Sequence, residues 1–251
     1  MSASILITGA SSGLGAALAE VYAGPGVTLF LGGRNQERLE TVAAVCRSRG
    51  AEVKTALIDV TDRAATEAWV LASEAERPLT LVIANAGISG GTGNRLGESA
   101  EQTRAIFSAN LDGAMNSVLP IIPPMQARRR GQIALMASLA GFRGMPGAPA
   151  YCASKAAVRV WGEGMRGYLA RDNVGVTVIC PGFVETAMTA NNRFPMPFLM
   201  GAAQAAAIMK KGIDANKARI AYPWQTAAMT WLLAALPPAW TDGMLARAPG
   251  K

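Results

Sequence analysis

The sequence predicts a single α/β domain built on a doubly wound parallel sheet, and three observations carry that reading. Short apolar runs alternate with stretches of helical periodicity from the first residues to about Cys180. A Gly/Ser-rich turn sits directly between the first apolar run and the first helical stretch. Of the 251 residues, 51% are hydrophobic and only 16% charged, which supplies a large core and excludes a disordered chain or a coiled coil.

The elements follow in order. An apolar strand over 5–8 leads through the Gly/Ser turn into a helix over 14–23, and a second strand covers 27–31. Asn35 can cap a helix over 35–49, where Leu39, Val42 and Val45 recur at helical spacing and Gly50 can end it. A strand over 53–58 precedes a helix that Asp62 caps and that runs to about Glu76. The fourth strand, 81–84, opens into a Gly-rich loop over 87–97. A long helix around 101–127 comes next, loosened near Pro120 and Pro123-Pro124, because proline lacks the N–H an interior turn needs. Strand 132–137, helix 150–171 and strand 174–180 complete the alternation. Apolar strands of this kind need helices on both faces of a parallel sheet, and right-handed crossovers wind it doubly. After Pro181 the pattern changes. Residues 183–201 are irregular and rich in Met, Phe and Pro, 202–212 is helical, 219–222 is one short strand, and 225–236 is an apolar helix. We read 187–251 as a lid over a site followed by a C-terminal apolar helix, an insertion and not another strand–helix repeat.

Composition excludes several chemistries. Histidine is absent, so Ser–His and Cys–His nucleophile pairs and His-bound metals are ruled out. Acid–base work falls to Tyr, Lys, Asp, Glu or Cys. The three cysteines, Cys46, Cys152 and Cys180, cannot build a disulfide framework and are not spaced as zinc ligands, which points to a reducing cytoplasm and no metal site. The first residues show no basic, apolar leader pattern, and no run of about 18 apolar residues exists to span a bilayer. The net charge of +7 is uneven: 9 basic residues face 12 acidic ones up to Gly113, and 15 face 5 beyond it. That asymmetry suits a solvated basic face and a site for an anionic cofactor, with no nucleic-acid partner.

The segment Thr8-Gly9-Ala10-Ser11-Ser12-Gly13-Leu14-Gly15 lies where a strand hands over to a helix. Glycines there allow a sharp turn and let a pyrophosphate approach the N–H groups of the helix start. The Gly-x-x-x-Gly-x-Gly spacing resembles the dinucleotide loop of the short-chain dehydrogenase/reductase family, whose fold is Rossmann-like. The resemblance implies that Gly9, Ser11, Ser12, Gly13, Leu14 and Gly15 meet the cofactor. Gly33 stands where NAD-preferring members carry Asp, and the Arg34 that follows suits a 2′-phosphate by charge and bidentate geometry. The expected cofactor is therefore NADP(H) in preference to NAD(H), and Arg38, one helical turn on, is read equally as an assistant and as a surface residue. Asp59 matches the family's Asp at the adenine edge and equally suits a turn before Asp62. Asn85-Ala86-Gly87 matches the family's Asn-Ala-Gly element, in which Asn85 is as much structural as cofactor-binding.

Tyr151-Cys152-Ala153-Ser154-Lys155 is the sharpest signal. Residues four apart share a helix face, so phenol and ammonium can enter one cleft. A nearby cation favours the phenolate and makes Tyr151 usable as acid and base at neutral pH. Cys152, about 100° round the helix, is read as a packing residue. The resemblance extends to Ser138 at the end of the preceding strand, as a hydrogen-bond donor to a substrate carbonyl. It extends also to Asn110 on the long helix, which in the family loosens the helix and holds a water beside the Lys. Asn110, Ser138, Tyr151 and Lys155 are thus the expected catalytic set. Pro181 and Gly182 match the family's Pro-Gly element, and Val184 and Thr186 the positions that meet the nicotinamide carboxamide. The resemblance covers about Ile5 to Thr186.

The last quarter departs from it. Many members end with a strand and Asp-Gly-Gly that help build a tetramer, whereas here strand 219–222 runs into an apolar helix. A homodimer is expected instead. Trp224, Met229, Trp231, Leu232, Leu233, Leu236 and Trp240 are candidates for packing on the core or a second subunit, with peripheral membrane contact as the other reading. Met188, Phe194, Met196, Phe198, Leu199 and Met200, with Asn191, Asn192 and Arg193 as a polar middle, predict a lid over a bulky, mainly apolar substrate. Phe142 and Arg143 are expected on the opposite wall. The resulting expectation is an NADP(H)-dependent oxidoreductase for an alcohol/carbonyl pair. The alternative is a non-catalytic dinucleotide-binding sensor or scaffold, a class that usually lacks the Tyr or Lys retained here.

Overall fold

Seven strands, β1 (Ala3–Thr8), β2 (Val27–Gly33), β3 (Glu52–Leu57), β4 (Leu81–Ala84), β5 (Gly131–Met136), β6 (Val174–Pro181) and β7 (Arg219–Tyr222), form one parallel sheet. Their order is β3-β2-β1-β4-β5-β6-β7. The computed structural model describes residues 3–90, 98–190, 192 and 194–247. Most of the Gly-rich loop over 87–97, and Asn191 and Arg193 of the expected lid, lie outside the described residues. The sheet is doubly wound: successive crossovers run one way from β1 to β3 and the other way from β4 onward. The crevice at the carboxyl ends of β1 and β4, where the direction reverses, is the place such a sheet offers a ligand.

Alternation along each strand divides the core into two. Ile5, Ile7, Leu29 and Leu31 face α1 (Gly13–Tyr22), α2 (Gln36–Ser48) and α8 (Ala202–Asp214). Leu6, Phe30, Val82 and Leu135 face α3 (Arg63–Glu76), α5 (Gly113–Val118) and α7 (Pro149–Ala170). The expected caps are formed: the Asn35 side chain accepts from the Arg38 N–H, and the Asp62 side chain from that of Ala65. Helix α7 lies close on the sheet because Gly162 has no side chain. A Cβ there would meet Leu135 Cδ1 and Val178 Cγ2 at 2.6 Å.

Three expectations change. The helix expected over 101–127 is α4 (Ala100–Phe107), a π-helical turn at Ser108–Asp112, α5, a 3₁₀ turn at Leu119–Ile121 that holds Pro120, and α6 (Ile122–Ala127). The region after Pro181 does contain another helix–strand repeat. Helix α8 buries Ala205, Ala206, Met209 and Ile213 against the face that α1 occupies, and β7 pairs in parallel with β6. Both elements were read in the sequence; that they continue the sheet was decided by β6, whose open edge β7 joins. Third, α9 (Trp224–Ala235) does not sink into the core: Thr230 is its one buried residue, and a further helix, α10 (Pro238–Leu245), follows Pro237. Among the described residues no helix is long and apolar enough to cross a membrane.

Candidate active site

A cleft of about 380 Å³ runs along the carboxyl ends of the central strands, from Arg34 at one end to Tyr151 at the other. Its floor depends on missing side chains. Gly9 sits at φ +65°, and a Cβ there would lie 2.8 Å from Ala86 Cα, so the loop folds directly onto the exit of β4. A Cβ on Gly15 would come within 2.2 Å of the Gly9 carbonyl oxygen. Gly15 therefore shapes the loop without lining the cleft, whereas Gly9, Ser11, Ser12, Gly13 and Leu14 line it. Ser12 precedes the first turn of α1 and makes no side-chain hydrogen bond to it. The first-turn N–H groups of a helix have no partners within it and can serve an anion. Asn85 is the strap across this region: its Nδ2 donates to the Thr8 and Gly9 carbonyls at 2.9 and 3.3 Å.

At the far end, a Cβ on Gly33 would meet Ser11 Cβ and Oγ at 3.1 Å, so an acidic side chain there would crowd the loop. Arg34 Nη1 lies 3.8 Å from Asp59 Oδ2, and Arg34, Arg38 and Asp59 all line the cleft. Asp59 Oδ1 also accepts from the Thr61 N–H and hydroxyl. The Thr61 N–H above all, with Arg34 adding, holds this carboxyl below its ordinary range. Ile58 and Val60, unmarked in the sequence reading, line the cleft on either side of Asp59. Their position flanking a strand-exit Asp was the available signal.

The other end is built on β5, α7 and the π turn. Lys155 is 4% exposed, its Nζ donates to the Met136 carbonyl at 2.8 Å and stands 5.9 Å from the centre of the Tyr151 ring. Burial lowers its pKa from 10.5 to about 8. Burial raises that of the Tyr151 phenol, and the Ser138 hydroxyl opposes the rise. Ser138 Oγ accepts from the Ala140 N–H at 3.1 Å and reaches the Pro181 carbonyl at 3.4 Å. Asn110 does not line the cleft. From the π turn its Oδ1 accepts from the Ile88 N–H, while Nδ2 donates to the Ile88 carbonyl and Ser154 Oγ. Gly87 threads between these groups: a Cβ there would lie 2.8 Å from Asn110 Oδ1 and 3.3 Å from Lys155 Nζ. Cys152 is buried and turned to a different groove, between α7 and α10, and burial pushes its thiol up.

Pro181, Gly182, Val184 and Thr186 border the same end, as do Ala86 and Gly87. Thr189, missed in the sequence, pins this turn: its Oγ1 donates to the Val184 carbonyl at 2.6 Å and accepts from the Thr186 N–H at 3.0 Å. Of the expected lid's apolar side chains, Met188 lines the cleft, Phe194 stacks edge-on against Phe183 at 5.9 Å, and Phe198 and Leu199 are exposed. Phe142 and Arg143 are not its opposite wall. Arg143 donates to Thr241 Oγ1 and Asp242 Oδ1 on α10, and Phe142 lies beneath the guanidiniums of Arg159 and Arg219. A carboxylate about a hundred residues away captures a side chain that its local sequence aimed at the cleft.

A family model for short chain dehydrogenases matches residues 3–196. An uncharacterized oxidoreductase of Myxococcus xanthus is 42% identical over 233 residues, 92% of each chain. The ketoacyl reductase HetN of a Nostoc species is 34% identical over 199 residues, 78% of this chain and 69% of that one. A short-chain dehydrogenase from Sphingobium yanoikuyae, solved in complex with NADPH, superposes with a TM-score of 0.80 at 25% identity, over 98% of this chain and 96% of that one. The chain belongs to the short-chain dehydrogenase family and is an oxidoreductase with its Rossmann-like fold.

The buried ammonium has a measurable consequence. Between pH 8 and 10.5 the unfolded chain holds a proton on Lys155 that the native state has released, so this group makes stability rise with pH in that window. Below pH 8 both states are protonated and the cost of burial is fully present. Lys155→Met removes cost and slope together. In urea unfolding without cofactor, we expect the variant to match or exceed wild type at pH 7. Wild type should then gain on it by up to about 1.4 kcal/mol per pH unit from pH 8 to 10. A constant difference across that range would show that Lys155 does not titrate there.

Proposed function

We propose that the chain is an NADP(H)-dependent oxidoreductase that interconverts an alcohol and a carbonyl, with Tyr151 as the acid and base. The observation that carries this is the convergence of the Tyr151 phenol, Ser138 hydroxyl and Lys155 ammonium at one end of a cleft whose other end offers a glycine-lined loop and Arg34. A nicotinamide dinucleotide fits these residues: Gly9 and Gly13 leave the loop backbone bare, and Arg34 and Arg38 supply cations at the adenosine end. When bound, the nicotinamide supplies or accepts the hydride. The chain's own groups do the rest. Gly9, Ser11, Ser12, Gly13 and Leu14 receive the pyrophosphate on a loop that Gly15 shapes, Asp59 meets the adenine edge, and Asn85, Ala86 and Gly87 support the ribose side. Pro181, Gly182, Val184 and Thr186 border the nicotinamide.

Tyr151, held protonated by burial, donates to the carbonyl oxygen in reduction and takes the proton back in oxidation. Ser138, whose bond to Pro181 is long, turns its hydroxyl to the same oxygen. Lys155 lends positive charge to the phenolate, and Asn110 positions Ile88 and Ser154 beside it. NADP(H) is favoured because Gly33 leaves no acid to hold a ribose diol and Arg34 is 67% exposed toward a phosphate. The NADPH held by the Sphingobium relative supports it.

The substrate is proposed to be bulky and apolar. Met188 at the cleft supports a lid of that character, and the ketoacyl reductase relative agrees with a carbonyl on a chain. The protein is read as one domain working in the cytoplasm as a homodimer; three buried free thiols support a reducing compartment.

Three measurements test this. Tyr151→Phe should preserve folding and NADPH binding yet lower kcat by at least about 100-fold, the scale of a lost general acid; turnover within a few-fold of wild type refutes the assignment. Arg34→Ala should weaken NADPH by about 1.5–3 kcal/mol and NADH far less, and equal losses would mean that Arg34 reads no phosphate. Along a homologous ketone series, kcat/KM should climb by up to about 0.8 kcal/mol per buried methylene. A flat series, or preference for polyhydroxylated substrates, removes the apolar lid.

A further inference from the structure

Helices α9 and α10 carry exposed apolar side chains on which no other described residue of the chain packs. Trp224, Trp231 and Trp240 are 74%, 63% and 75% exposed, and Met229, Leu232 and Met244 are each more than half exposed. At roughly 150–250 Å² per aromatic side chain, the three tryptophans alone present about 400 Å². That is within the ~300–600 Å² typical of a monomer's largest, often functional, patch.

Its pattern is self-complementary. On α9, Trp224, Ala228, Trp231 and Ala235 are all exposed and fall four, three and four residues apart, which places them in one stripe. Large and small side chains alternate along it. Laid antiparallel on a copy of itself about an axis between Met229 and Thr230, the stripe sets Trp224 opposite Ala235 and Trp231 opposite Ala228. Within the stripe each tryptophan faces an alanine, as a two-fold interface with interdigitated packing requires. Charge does not oppose it: α9 has no charged residue, and Asp242 on α10 is neutralised by Arg143 at 3.0 Å. A lipid-facing helix would carry free basic residues along its border, and α9 carries none.

We propose that a second copy of this chain docks here, with α9 packed antiparallel on α9 of its partner about a two-fold axis. This rests on the homodimer reading above and assigns its surface. The test is light scattering of the full chain at micromolar concentration. Wild type should be dimeric. Trp231→Glu and Ala228→Lys should each raise the dissociation constant by about 30-fold or more, as losing a buried anchor does, with unchanged far-UV circular dichroism. The double variant A228K/W231E should be dimeric again, because its two new charges meet across the axis. A monomeric wild type overturns both the homodimer and this surface. A dimer indifferent to both single variants keeps the homodimer and overturns the surface. Single variants that dissociate without rescue in the double overturn the antiparallel register. Co-sedimentation of wild type with phosphatidylcholine/phosphatidylglycerol vesicles, with a blue-shifted tryptophan emission lost in Trp231→Glu, gives the patch to a membrane instead.

Discussion

One ammonium group sets the terms for the site. Lys155 is taken out of water by the close approach of α7 to the sheet, which Gly162 permits, and its Nζ is left with the Met136 carbonyl as its hydrogen-bond acceptor. A cation so poorly solvated loses part of its hold on its proton and is also ready to accept an anionic or hydroxyl partner. The surroundings conform to it. Gly87 must lack a side chain to pass beside it, Asn110 must leave regular helix to bond the chain after Gly87, and Tyr151 must sit one turn earlier on the same face. The fold spends stability here to keep a charge next to a phenol.

The opposite end of the cleft follows a different rule. There the determining feature is space. Gly9, Gly15 and Gly33 let three backbone segments approach more closely than side chains allow, and Asn85 ties the resulting loop to the exit of β4. The two charged groups there, Arg34 and Asp59, are exposed and paired only loosely at 3.8 Å, so either can be drawn away at small cost. A tightly buried end and an open, charged end thus share one crevice at the sheet's switch point.

Beyond β6 the chain does two unlike things. Helix α8 and β7 extend the sheet and bury their apolar residues in the ordinary way. The two helices after Tyr222 leave apolar residues outside, while Asp242 on the second holds Arg143 of the loop after Ser138 at 3.0 Å. They are thereby tied to that loop although they line no part of the cleft.

The order of strands and helices through β6, the glycine loop, and the Tyr151–Lys155 pair on one helix face were readable in the sequence, because each is a local pattern: strand period, turn chemistry, helical spacing. Ser138 and Asn110 were readable only by resemblance, since a serine at a strand end or an asparagine in a helix carries no local signature. Other features were decided by the tertiary structure alone. The loosening at Asn110 that the resemblance implied takes the form of a π turn at Ser108–Asp112, in which Asn110 bonds Ile88 from 22 positions away. Arg143 left the cleft because Asp242 is 99 positions distant in sequence and 3.0 Å away in space. Strand β7 counted as sheet because β6 offered it an edge, and α9 lies outside, against β7 and the 3₁₀ turn at Leu139–Gly141. In each case the deciding partner is remote along the chain, and no window of neighbouring residues contains it.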